Sequence, residues 1–190
     1  EGELKTPQKM SYLNDIEIIE EVIHALKKIL KKYKVVSFDL ADELMKRLFG
    51  ENDGVYGLPK SIELIEDPDT TVFSFMKTFI RRFCLKSQTL KYVKMLINSI
   101  DIIDCQVLPS FLEPIETAID LKMLGNDDLV MFLNHIAQMI DADDSDVTTS
   151  LLTVVTGIVR HYKDVVDINQ WLTILGNLWD CVDETEEDHE

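Results

Sequence analysis

Apolar residues along this chain recur three and four positions apart, in stretches separated by Gly, Pro, Asn and Asp. That spacing predicts amphipathic helices. The first begins at Asn14, which has capping-box spacing with Glu17, and runs to about Tyr33. Its apolar stripe is Ile16, Ile19, Ile23, Leu26, Leu30 and Tyr33. Val35 and Val36 break the pattern. Ser37 then caps a second helix, with Leu40, Leu44 and Leu48 inward beside Ala41, Met45 and Phe49. Asp69 caps a third, turning Val72, Met76, Phe79, Ile80 and Phe83 inward, and Ser87 caps its partner with Leu90, Val93, Leu96, Ile97 and Ile100. Phe75 sits off that stripe, so it either fills a layer between helices or faces a partner.

Further along, Pro109 suits a first helical turn, Pro114 predicts a kink, and Gly125 ends the helix. Asn126 caps the next, with two acids in its first turn. Val147 to Tyr162 has the Thr and Val content of a buried strand. Its length and the spacing of Leu151, Val155, Ile158 and Tyr162 favour a helix. Asp167 caps the last helix, whose stripe includes Trp171, Leu175, Leu178 and Val182.

The helix starts form two interleaved series. Asp69, Pro109 and Ser145 step by 40 and 36 residues, while Ser37, Ser87, Asn126 and Asp167 step by 50, 39 and 41. The long step contains residues 50–68, GENDGVYGLPKSIELIEDP, which read as an irregular insertion with one short helix over 59–65. A period near 40 residues belongs to repeats of helix pairs, where each pair buries its apolar face only against its neighbours. The expected organisation is a polar lead-in over 1–13, one helical-repeat domain over 14–182 and an acidic tail over 183–190.

Charge divides the chain. The net −16 splits into +1 for residues 1–100 (16 Lys/Arg, 15 Asp/Glu) and −17 for residues 101–190 (3 against 20). The acidic half should repel nucleic-acid phosphates and anionic membranes and attract a basic segment. Asp141, Asp143, Asp144 and Asp146 are the candidate acidic docking residues. Basic residues form local helix faces: Lys27, Lys28, Lys31 and Lys32, then Lys77, Arg81 and Arg82, then Lys91 and Lys94. Those faces suit RNA or an acidic peptide; solvated helix surface accounts for them as well. No apolar run reaches the roughly 18 residues of a membrane helix, and no signal peptide is visible. The three cysteines, Cys84, Cys105 and Cys181, read as buried free thiols of an intracellular protein, cytoplasmic or nuclear.

No catalytic signature stands out. Asp39 and Asp69 lie in imitations of an Asp-x-Asp nucleophile motif, but the parallel sheet that would present them is missing from the pattern. Asp141, Asp143 and Ser145 open like a calcium loop, but Asp146 stands where that loop needs Gly and Leu152 where it needs Glu. His24, His135, His161 and His189 lack metal-ligand spacing, and no His–acid pair is legible. The expectation is a non-enzymatic chain with no cofactor, metal or small-molecule substrate.

Val107-Leu108-Pro109-Ser110-Phe111-Leu112-Glu113-Pro114-Ile115 resembles the first helix of a HEAT unit, and the paired helices resemble HEAT and armadillo repeats. The Arg that ladders across HEAT repeats is not repeated here. The resemblance implies an all-α superhelix of about four antiparallel helix pairs and a scaffold or adaptor role in a larger complex. Acidic HEAT chains resemble nuclear transport receptors, which take basic cargo. A domain of this size also resembles the middle domain of translation initiation scaffolds, which implies helicase or RNA-processing partners. The leading expectation is therefore a protein partner offering a helix or an extended basic peptide. RNA bound on the basic faces is the alternative.

Overall fold

The computed structural model describes residues 16–33, 36–49, 51–52, 55–56, 71–140, 145–164, 166–167, 169 and 171–176. Its helices are α1 (Ile16–Lys32), α2 (Phe38–Phe49), α3 (Thr71–Phe83), α4 (Ser87–Asn98), α5 (Leu108–Asp120), α6 (Asn126–Met139) and α7 (Ser145–Tyr162). A further helical segment covers 171–176. The fold is all-α. Its one departure among the described residues is a small antiparallel ladder, β1 (Glu51–Asn52) and β2 (Val55–Tyr56), within the insertion. This hairpin was not expected. Asp53-Gly54 between its strands is a favoured two-residue hairpin sequence.

The odd-numbered helices pack side by side in chain order: α1 on α3, α3 on α5, α5 on α7. On the other side, α4 packs against α3, α5 and α6, and α6 against α7. Four hydrogen bonds in this array join residues 36 to 49 positions apart. Lys27 meets Ser74, 47 residues on, and Arg82 meets the Tyr33 carbonyl across 49. Lys77 meets Glu113 across 36, and Tyr162 meets the Leu124 N–H across 38. The long offsets span the insertion and the short ones do not. Rising numbers pair with rising numbers, so α1 and α3 run parallel.

Burial explains why α3 is central. Phe73, Phe75, Phe79 and Phe83 are all buried, together with Val72, Met76 and Ile80. Phe79 stands at 5.1 Å from Phe83, 5.7 Å from Tyr92 on α4, 6.0 Å from Phe38 on α2 and 6.4 Å from Phe75. Phe73 reaches Phe111 on α5 at 5.3 Å, edge to face. Phe75 is thus core rather than a partner contact.

Several stripe positions differ from the sequence reading. On α2, Ala41 and Met45 are fully buried while Leu40 is 60% exposed. The face is rotated because Asp42 is drawn inward: the Tyr92 hydroxyl donates to its Oδ1 at 2.8 Å, and Lys46 Nζ lies 3.0 Å from Oδ2. Tyr33 is exposed beside the Lys32 ammonium, and Leu175 is exposed where Ile174 is buried. Cys84 is half-buried and Cys105 exposed, so neither is the fully buried thiol expected. Asn14, Asp69, Leu178, Cys181, Val182 and residues 59–65 lie outside the described residues, as do the side chains of Ile16, Ile19, Leu48 and Phe49.

Helix ends differ too. Lys86 and Gly125, not Ser87 and Asn126, are the residues preceding α4 and α6. The Gly125 N–H donates to the Asp128 carboxylate at 3.3 Å. Helix α5 runs through Pro114 and stops before Gly125, at Asp120. The stop is Lys122, in the left-handed region at φ 55°. The Lys122 N–H donates to the Ile119 carbonyl (2.9 Å) and the Met123 N–H to the Ala118 carbonyl (3.0 Å), the pattern of a Schellman turn. The α7 stretch is helical despite its Thr and Val. The Ser150, Thr153 and Thr156 hydroxyls bond carbonyls four residues back, which removes their competition with the backbone.

Two stability changes follow. Lys122→Gly relieves the left-handed strain and should raise unfolding free energy by about 0.5–1 kcal/mol in urea melts. Tyr92→Phe leaves the buried Asp42 carboxylate short of a donor and should lower it by about 1–3 kcal/mol.

Candidate functional site

The solvent side of the odd-numbered helices carries a continuous strip of charge. Its basic part lies on α1 and α3. Lys27 donates to the Ser74 hydroxyl, and Lys77 Nζ lies 2.8 Å from Glu113 Oε2 on α5. Burial lowers the pKa of Lys27, the nearby Lys31 and Lys77 lower it further, and Glu113 opposes them. The acidic part follows on α5, where Glu113, Glu116 and Asp120 share one face by their spacing. Asp120 Oδ1 then lies 3.2 Å from His161 Nε2 on α7.

Between α5 and α7 the strip deepens into a groove of about 360 Å³. Ile119 and Val154 lie buried beneath it, and Gly157 contributes no side chain. Glu116 and Asp120 line one wall, Thr153, Thr156 and Arg160 the other. Glu116 is half-buried and has no ion-pair or hydrogen-bond partner among the described residues. Burial pushes its carboxyl pKa up; Lys77 pulls it down, and Glu113 and Asp120 push it up again.

The sequence-named basic residues separate onto different surfaces. Lys27, Lys28, Lys31 and Lys32 are on α1, Lys77, Arg81 and Arg82 on α3, and Lys91 and Lys94 on α4. Several are held by their own chain: Lys94 Nζ lies 2.8 Å from Asp128, and Arg82 donates to the Tyr33 carbonyl at 3.1 Å. Lys28, Lys31, Arg81 and Lys91 are exposed. Of the acidic candidates, Asp146 is exposed in the first turn of α7, and Asp141, Asp143 and Asp144 lie outside the described residues.

Two His–Asp pairs exist that the sequence did not disclose, His161–Asp120 and His135–Asp101, the latter at 2.8 Å. They join residues distant in the chain, which is why spacing concealed them. No group of three metal-ligating side chains occurs among the described residues. No described helix is long and apolar enough to cross a membrane. The groove residues Glu116, Asp120, Thr153, Thr156 and Gly157 were not singled out by sequence. The acidic stripe of α5 was legible, but the wall opposite it was not. Comparison with protein-family models, curated proteins and solved structures finds no match to this chain.

The raised Glu116 pKa has a definite sign. The folded chain binds that proton more tightly than the unfolded chain, so the ionised carboxylate costs stability above the folded pKa. The cost disappears as pH falls through it. Glu116→Gln should therefore melt slightly higher at neutral pH, by up to about 0.5 kcal/mol for a part-exposed site. That advantage should fade in acid, as followed by thermal melts across pH.

Proposed function

We propose that this chain is a non-enzymatic scaffold or adaptor module, built as a HEAT-like stack, whose acidic half docks a basic segment of a protein partner. The observation that carries the reading is the pair of α5 carboxylates, Glu116 and Asp120, that lines the α5–α7 groove. It sits in the half of the chain with 3 Lys/Arg against 20 Asp/Glu. The side-by-side packing of α1, α3, α5 and α7 in chain order supports a repeat architecture. A stack of this kind presents a preformed surface, so a partner orders itself against a wall that is already rigid. Opposite charge raises the encounter rate and selects against acidic competitors. Asp141, Asp143, Asp144 and Asp146 belong to the same half of the sequence and add to its negative charge.

RNA gains less support from the geometry. Lys27, Lys77 and Lys94 are each engaged by a group of the chain itself, and the basic residues divide between opposite sides of the helix array. A phosphate backbone needs a continuous run of unneutralised cations.

The test is purification of the full chain from nuclease-treated lysate beside a variant with Asp141, Asp143, Asp144 and Asp146 changed to Lys. The expected result is a basic protein partner that survives nuclease and is depleted at least about tenfold by the reversal, with unchanged circular dichroism. Partners lost on nuclease treatment would move the assignment to RNA.

A further inference from the structure

The α5–α7 groove presents acceptors to its occupant and almost no donors. The Thr153 and Thr156 hydroxyl protons are already committed to the Thr149 and Leu152 carbonyls, at 3.1 and 2.8 Å. Their oxygens can therefore only accept from a group in the groove. The Glu116 carboxylate adds acceptors with no partner among the described residues, and Asp120 has one oxygen engaged by His161. The exception is Arg160, which lines the groove and is exposed. It has no ion pair among the described residues and is not among the charges acting on Glu116, which are Lys77, Glu113 and Asp120.

Arg160 apart, the lining offers acceptors beside a half-buried carboxylate, which suits a group rich in donors. A guanidinium has five N–H donors, no acceptor and a flat apolar face. Gly157 brings no side chain into the groove, where an added Cβ would already touch Ile119 Cγ2 at 3.6 Å, and Ile119 and Val154 lie buried beneath it. The volume of about 360 Å³ lies near the lower end of small-ligand sites, enough for one long side chain and its water.

We propose that this groove is an arginine-recognition site, receiving one guanidinium from an extended segment of a partner protein, with Glu116 as its anion and Thr153 and Thr156 as flanking acceptors. This rests on the scaffold reading and deepens it. Arg160 lines the same groove and opposes the incoming cation, so its charge weakens the site.

The experiment is an amide NMR titration of the full chain with acetyl-Gly-Ser-Arg-Gly-Ser-amide. Its citrulline counterpart, which is isosteric and neutral, and methylguanidinium are the comparison probes. The expected result is a set of saturable shifts centred on Thr153, Thr156 and Gly157 with the arginine peptide alone. Glu116→Gln should weaken them about tenfold, the worth of one charge-assisted hydrogen bond. Thr156→Val should weaken them less, and Arg160→Ala should tighten them. Each variant's dispersed spectrum reports its fold independently.

Equal shifts with citrulline, or no response to Glu116→Gln, would overturn the assignment. Equal affinity for methylguanidinium would make this a small-cation site and overturn the peptide partner. Shifts confined to the acidic start of α7 around Asp146 would remove the groove while leaving the scaffold reading intact. No shifts anywhere would remove the groove, and the purification experiment would then judge the scaffold reading separately.

Discussion

The burial of the aromatic side chains of α3 is the constraint from which the rest of this architecture follows. A helix that carries Phe73, Phe75, Phe79 and Phe83, all buried, cannot be satisfied by one partner helix. It needs α1 and α5 on its flanks and α2 and α4 against its remaining face. Each aromatic ring buries about 150–250 Å² and prefers offset or edge-to-face neighbours, so the cluster sets orientation as well as proximity. Phe79 touches rings from α2 and α4 at once, and Phe73 reaches α5. With α3 enclosed, α5 becomes the next central helix, and its far side must in turn be covered by α7.

Polar links accompany each of these steps, but they are the weaker term. Lys77–Glu113 and Asp120–His161 are part-exposed pairs, and pairs of that kind contribute about 0–1 kcal/mol each. A buried Phe or Leu side chain contributes about 1.5–3 kcal/mol, so apolar packing decides whether the helices associate. The polar links contribute register. Each joins equivalent positions of successive helices, and a slip by one turn would break several together. Asp42 is the different case: its carboxylate is 6% exposed, and the Tyr92 hydroxyl and Lys46 make that burial tolerable.

The same stacking creates the surface available to a partner. Where α5 and α7 meet, the small side of α7, marked by Gly157 and two Thr residues, faces the acidic side of α5. Larger residues there would close the gap. Their absence leaves a cleft whose anion is partly withdrawn from water and whose hydroxyls are already spent as donors. Desolvation raises the energy of that carboxylate in the unoccupied state, so an incoming cation recovers more than it would at an open surface site. On α1 and α3, by contrast, Lys77 is paired with Glu113, while Lys28, Lys31 and Arg81 are exposed.

The amino-acid sequence by itself determined the helices, their order and their period. These depend on local periodicity, and a helix face of apolar residues reads directly from spacing. The long step across residues 50–68 reappears between α2 and α4, where Tyr92 meets Asp42 across 50 residues. Which face of each helix became fully buried was less legible. On α2 the sequence points equally to Leu40 or to Ala41 and Met45, and only the Asp42–Tyr92 bond across 50 residues chose between them. The left-handed Lys122 was concealed because a Schellman turn normally advertises itself with Gly. The groove was beyond reach for a further reason: its two walls come from helices about 38 residues apart, and neither wall alone is unusual. Local chemistry is written along the chain, whereas a site shared by two helices exists only once packing has decided which faces meet.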